Sequence, residues 1–286
     1  MERSVARETI DLPAGTVHYR VSGPEDGPAA VFVHGFLVDD TLWADVPERL
    51  AEAGFRTYAP TWPLGSHTTA MAPGADLSPR GLAAVVLSFL EALDLRDVLL
   101  IGSDTGGGVC QLVLDIDPSR VARLVLTNCD AFETFPPFPF DLLFHLGRRP
   151  GPARLVLQSM RSSFLRNSKL GFGWLVRRDF APEESARWVA PYLADPDVRR
   201  DVATFCRGWH PGDLTEASER MARFERPVLL CWAPGDRFFK LELAKRLLAT
   251  CPDATLVEFE GARTFVSLDQ PEQLAGEILA WAGPSH

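Results

Sequence analysis

Short apolar runs alternate along this chain with stretches of helical spacing, and that alternation limits the fold more than any other feature. Ala29–Val33 is an apolar run that stops at His34-Gly35, Val98–Gly102 runs into a glycine-rich turn, and Val121–Thr127 is followed by Asp130. Leu42–Ala53, Ser78–Leu95 and Gly106–Asp115 have helical periodicity, with Ser78 placed as an N-cap. Arg56–Pro60 reads as a further strand, and Thr9–Leu12 and Thr16–Val21 as two short ones. Repeated strand–helix units imply a mostly parallel sheet covered by helices on both faces, and such sheets bind ligands at the carboxyl ends of their strands.

The alternation breaks in the middle. After Ala131 the segment FETFPPFPF is rich in proline and aromatic residues, and Ala153–Phe164, Pro182–Leu193 and Asp197–Trp209 have helical patterns with no apolar strand between them. It resumes with strand Pro227–Trp232, helix Leu241–Thr250, strand Ala254–Phe259 and helix Pro271–Trp281. The expected organisation is a core made of residues 1–130 and 225–286, interrupted by a helical cap at 131–224.

Composition narrows the partners. With 286 residues, 46% of them hydrophobic, the chain can bury a large core. A formal charge of −9 argues against nucleic acid and against an anionic membrane surface, since pairs such as Arg148–Arg149 and Arg199–Arg200 read as solvated faces. Lysine occurs only at 169, 240 and 245 among the 29 basic residues, a bias that resembles GC-rich bacterial coding. The five cysteines are odd in number and widely spaced, without a metal-ligand pattern, so they read as reduced and inert, and no metal is expected. The start MERSVARETI has no apolar h-region and no run approaches membrane-spanning length, so the expected compartment is the cytoplasm. The partner expected is a small-molecule substrate, with no cofactor, no nucleic acid and no membrane, and the chain is expected as monomer or homodimer.

Four segments carry possible chemistry. Val31-Phe-Val-His34-Gly35-Phe36 is a strand ending in His-Gly. Ile101-Gly102-Ser103-Asp104-Thr105-Gly106-Gly107 is a strand, tight turn and helix in the pattern Gly-x-Nuc-x-Gly, where small neighbours let the strand reverse and present Asp104 at its tip. Val228-Leu-Leu-Cys231-Trp232-Ala-Pro-Gly235-Asp236 ends a strand on an acid, and Gly261-Ala-Arg263-Thr264-Phe265 precedes the last helix. In this order the four resemble the α/β-hydrolase fold over nearly the whole chain, and an aspartate at the elbow resembles its haloalkane dehalogenase and epoxide hydrolase branch. The resemblance implies a mostly parallel eight-stranded sheet with an inserted helical cap. It implies Asp104 as nucleophile, Asp236 as the triad acid, and the backbone N–H groups of Phe36 and Thr105 as the oxyanion hole. His34, Leu37, His67, Tyr192 and Phe265 would line the substrate pocket.

The chain departs from that family in the slot Gly-x-x-His-Phe, where it carries Thr264 instead of the general base. Loss of a positioned base costs on the order of 10² to 10⁴ in rate, so an ester on Asp104 could form and persist. Thr105 also stands where dehalogenases commonly carry a halide-binding Trp, and Tyr192 is the only tyrosine in the cap. Ser103 is an alternative nucleophile that the turn register points away from the tip. His18 lies too far back on its strand, and His145 and His210 fall in the cap. With no imidazole between them, Asp104 and Asp236 form a carboxylate pair suited to proton transfer. Asp236 is expected to hold the raised pKa, because a helix N-terminus favours ionised Asp104. The reading is an enzyme acting on a small, largely apolar molecule, hydrolytic or not. A binding protein that kept the pocket and lost turnover is the alternative, and a scaffold is disfavoured by the strained, charged elbow.

Overall fold

The computed structural model describes residues 6–210 and 212–283, so the terminal His286 lies outside the described residues. The chain opens with β1 (Ala6–Leu12), β2 (Gly15–Ser22) and β3 (Ala29–Val33), followed by α1 (Val46–Glu52), β4 (Arg56–Thr61) and α2 (Pro79–Ala92). The central unit is β5 (Val98–Asp104), α3 (Thr105–Ile116) and β6 (Val121–Cys129). Next come α4 (Phe140–Gly147), α5 (Pro150–Gln158), α6 (Ser163–Asn167), α7 (Pro182–Ala194), α8 (Pro196–Gly208) and α9 (Asp213–Arg220), with no strand among the described residues. The chain closes with β7 (Val228–Trp232), α10 (Leu241–Thr250), β8 (Ala254–Glu258), α11 (Val266–Asp269) and α12 (Pro271–Ala282).

The eight strands form one sheet in the order β1-β2-β4-β3-β5-β6-β7-β8. The first two pairings are antiparallel and the rest are parallel. Successive side chains on a strand face opposite sides, so each central strand feeds two cores. Ala30 and Phe32 of β3, Leu99 and Ile101 of β5 and Leu229 of β7 pack with α1 and α12. Val31, Val33, Leu100, Leu124 and Leu230 pack on the other face with α2, α3, α10 and the inserted helices. Both faces are dry, which is why these strands read as continuous apolar runs rather than as alternating ones.

Two local rules place the helices next to the site. Ser78 caps α2 by accepting the Gly81 N–H at 3.1 Å, with Pro79 in the first turn. The segment expected as one helix over Leu42–Ala53 is instead a 3-10 turn at Asp40–Trp43 and then α1, because Ala44 between them takes φ 49°. Among the described residues, no helix is long and apolar enough to cross a membrane.

The turn from β5 into α3 works only with a bare backbone after it. A Cβ on Gly106 would lie 2.0 Å from the Val33 carbonyl oxygen and 2.5 Å from that of His34. Gly106→Ala should therefore lower the unfolding free energy by more than about 2 kcal/mol, seen as a lower urea midpoint at unchanged slope. Gly276→Ala in α12, where an added Cβ meets nothing within 4 Å, should be neutral or stabilising by up to about 1 kcal/mol. Equal effects at the two positions would mean that the turn opens without cost.

Candidate active site

Asp104 is the last residue of β5 and sits at φ 54°, ψ −134°, a conformation that L residues avoid unless their surroundings impose it. Its Oδ2 accepts the backbone N–H of Phe36 at 3.1 Å, and the Thr105 N–H at the start of α3 also bonds its carboxyl. The two N–H groups expected to form an oxyanion hole thus converge on the carboxyl of Asp104. The approach is possible because Gly35 has no side chain, since a Cβ there would lie 2.0 Å from Oδ2. Asp104 is enclosed by protein yet keeps part of its surface open, as a group lining an interior cleft does. Ser103 is fully buried, its hydroxyl without a partner, and does not share the tip.

Asp236 follows β7 and is 2% exposed, facing the same site. Its Oδ1 accepts the N–H groups of Phe238 at 2.6 Å and Phe239 at 2.9 Å, and its Oδ2 accepts the hydroxyl of Thr264 at 2.6 Å. Thr264 is fully buried and spends its only proton on that bond, so it has none to give and no basic lone pair of imidazole strength.

A third acid was not singled out as a site residue by the sequence. Asp130 follows β6, is fully buried, and has no hydrogen-bond partner of good geometry on either carboxyl oxygen. Its backbone N–H reaches the Asp104 carbonyl at 3.3 Å, and the Thr105 hydroxyl is close enough only to ease its ionisation. The available signal was its place at the carboxyl end of a central strand beside β5.

Electrostatics departs from the expectation that Asp104 stays ionised. Burial pushes Asp104 up to about 7, against the pull of the Thr105 and Phe36 N–H groups, and the charge of Asp236 adds to the rise. Asp236 is raised as well, again by burial, with Thr264, Phe239 and Phe238 opposing it. Asp130 is raised well above the usual range by burial and by the charge of Asp104. Desolvation outweighs the helix N-terminus because the amide donors at the tip are fewer than the water molecules a free carboxylate would hold.

The remaining expected residues fall into two groups. Leu37, at φ 56°, and Phe36 belong to the loop after β3, where Phe36 packs on Phe144 of α4 at 4.8 Å and on Phe205 of α8 at 5.8 Å between ring centroids. Phe265 adjoins Thr264 and faces Trp188 at 6.1 Å. The histidines are committed elsewhere. His34 Nε2 accepts the Trp62 N–H at 2.8 Å, its Nδ1 lies 2.9 Å from the Gly35 carbonyl, and burial lowers its pKa. His67 accepts the Gly65 N–H through Nδ1 and meets Asp201 of α8 through Nε2 at 3.2 Å. Tyr192 is buried in α7 with its hydroxyl unpartnered, and burial raises it to about 12. The five cysteines are free and buried.

Residues 30–277 match the family described as Alpha/beta hydrolase family. The chain belongs to the alpha/beta hydrolase family. It is 34% identical over 287 residues to a non-heme chloroperoxidase of Streptomyces lividans, covering 96% of this chain and 98% of that one. It is 28% identical over 284 residues to haloalkane dehalogenase 2 of Mycobacterium tuberculosis, covering 94% and 92%. The haloalkane dehalogenase DbeA from Bradyrhizobium elkani superposes with a TM-score of 0.79 at 18% identity, over 97% of each chain, a likeness of fold. The α/β-hydrolase fold read from the four segments, and the likeness to the dehalogenase branch of this family, hold over nearly the full length.

The raised Asp104 pKa has a stability consequence. Between the ordinary aspartate value near 4 and about 7, the folded chain holds a proton that the unfolded chain has released, so stability falls as pH rises through that window. Asp104→Asn keeps the shape and removes the titration. It should match the parent near pH 4 and exceed it at pH 8 by up to a few kcal/mol, since each tenfold change in proton affinity is worth about 1.4 kcal/mol. Denaturant melts at both pH values measure this, and a difference independent of pH would mean that Asp104 titrates normally.

Proposed function

We propose that this alpha/beta hydrolase acts on a small, largely apolar molecule between the tip of β5 and the helical segment 131–224, which serves as its cap. Asp104 acts as general acid and base in a reaction that does not pass through hydrolysis of an Asp104 ester. The observation that carries this reading is the bond from Thr264 to Asp236 in place of a histidine, beside an Asp104 carboxyl pushed up to about 7. A group with that pKa is divided between acid and base at neutral pH, which suits it to take a proton from one atom and return it to another. The aromatic wall of Phe36, Phe144 and Phe205 supports an apolar substrate and keeps the carboxyls desolvated.

A second reading is favoured by the grip of Phe36 on one carboxyl oxygen and by the dehalogenase relatives. The other oxygen of Asp104 would attack an sp³ carbon, displacing its leaving group and forming an ester that Thr264 cannot help water to cleave. A binding protein without turnover is the remaining alternative.

Intact-protein mass spectrometry with panels of haloalkanes, epoxides and esters, run beside turnover assays of Asp104→Asn and Thr264→His, separates them. Acid–base catalysis should show repeated turnover without any adduct, a loss on the order of 10² to 10⁴ in Asp104→Asn, and a slower Thr264→His protein. One adduct per chain on the Asp104 peptide, released once Thr264 is replaced by His, would establish the nucleophile instead. Ligand binding with no conversion by any variant would leave the binding protein.

A further inference from the structure

A cavity of about 180 Å³ lies where the insertion meets the two loops that carry Asp236 and Thr264. It is lined by Lys169, Trp174, Arg177, Gly235, Arg237 and Arg263, four cations and no carboxylate, in a chain of net charge −9. Among the described residues, Lys169, Arg177 and Arg237 form no ion pair, unlike Arg20, Arg80, Arg187, Arg220 and Arg246, each of which meets a carboxylate. Two acids on or beside these loops are already occupied. Asp269 accepts the backbone N–H groups of Arg177, Arg178 and Arg263, and Asp236 accepts those of Phe238 and Phe239 and the Thr264 hydroxyl.

The walls are held in place before any ligand arrives. The Arg237 guanidinium lies 3.7 Å above the Trp174 ring, and the Arg263 guanidinium donates to the carbonyls of Gly173 at 3.0 Å and Val176 at 2.9 Å. The Trp174 indole N–H is itself buried without an acceptor. Like charges gathered this way repel one another, and a bound anion removes the repulsion while finding Arg237 and Arg263 already held in place. By contrast, a larger cleft of about 460 Å³ at the opposite end of the sheet mixes Glu91, Asp97 and Asp117 with Arg96 and Arg120, so its charges offset one another.

We propose that this pocket binds the oxyanionic head, carboxylate or phosphate, of an amphiphilic ligand whose apolar body reaches Asp104. The pocket borders the Asp104 site through the chain itself: Gly235 and Arg237 flank Asp236, and Arg263 precedes Thr264. Trp174 packs at 5.7 Å on Phe238, which packs at 4.9 Å on Phe140 of α4, the helix whose Phe144 covers Phe36 beside Asp104. The head-group site stands on the pocket alone, whereas its link to turnover rests on the reading of Asp104 as acid and base.

Calorimetric titration of the full chain with octanoate, octyl phosphate, 1-octanol and inorganic phosphate tests it. Either octyl anion should bind about tenfold or more tighter than the alcohol at low salt, with added salt eroding the advantage. Arg177→Gln and Lys169→Gln, exposed positions whose side chains make no hydrogen bond or ion pair among the described residues, should each remove much of that advantage, while Arg80→Gln, remote and paired with Asp115, should not. Asp104→Asn should leave it intact, so a loss of turnover with anion binding retained separates the failure of one reading from the failure of the other. The tighter of the two octyl anions identifies the head group. Equal binding of alcohol and anion, anion binding unchanged in Arg177→Gln and Lys169→Gln, or inorganic phosphate binding as tightly as octyl phosphate would each overturn the proposal.

Discussion

The bond from the Phe36 N–H to the Asp104 carboxyl ties together the loops that leave two neighbouring strands. It requires β3 and β5 to be neighbours in a parallel sheet, which their register supplies. It requires Asp104 to hold a left-handed backbone, which the tight packing of Gly106 against the end of β3 enforces. It also requires a residue without a side chain at 35, because any Cβ there would displace the carboxyl itself. Each condition is local, but together they fix a carboxyl in a largely desolvated cleft. Two amide donors do not replace the solvation lost, and the carboxyl responds by holding its proton.

The three acids of the site show how far donors alone set a carboxyl's behaviour. Asp236 has three donors, Asp104 has two from the backbone, and Asp130 has none of good geometry. All three are raised by burial, and the charge on one opposes ionisation of the next, so the site cannot carry a full charge on each at neutral pH. A histidine at 264 would have brought a group able to become positive between Asp104 and Asp236. Threonine brings only a proton donor to Asp236, and the positive charge that remains is that of Lys240, which donates to the Asp236 carbonyl at 3.2 Å and only partly opposes the rise.

The sheet was legible in the sequence because strands buried on both faces must be apolar throughout, and glycine or a polar residue must end them where the chain turns. Asp104, Asp236 and Thr264 were legible through the resemblance of their segments to the α/β-hydrolase order, and the fold brings Asp236 and Thr264 into contact beside Asp104. What was not legible depends on contacts between distant segments. The sequence places Asp130 after a strand like many other acids, and only packing reveals that its oxygens meet no donor. The weight of the helix N-terminus on Asp104 was visible from Thr105-Gly106-Gly107, but the burial that outweighs it is set by packing between separate segments, as where Phe36 meets Phe144 of α4 and Phe205 of α8. The break within Leu42–Ala53 reflects one backbone angle at Ala44 that periodicity does not encode.

The same separation hides the cationic pocket, whose walls come from 169–177 on one side and 235–263 on the other. Those walls are tied together by the contacts that position Thr264. Phe265 donates its N–H to the Leu175 carbonyl at 2.9 Å, Arg263 grips Gly173 and Val176, and Asp269 gathers the N–H groups of Arg177, Arg178 and Arg263. The stretch 173–178 of the insertion therefore cannot shift without straining the loop that bonds Asp236. A negative head group seated among the cations would press on both sides of this joint at once. Arg237 and Arg263, two of those cations, adjoin Asp236 and Thr264 along the chain.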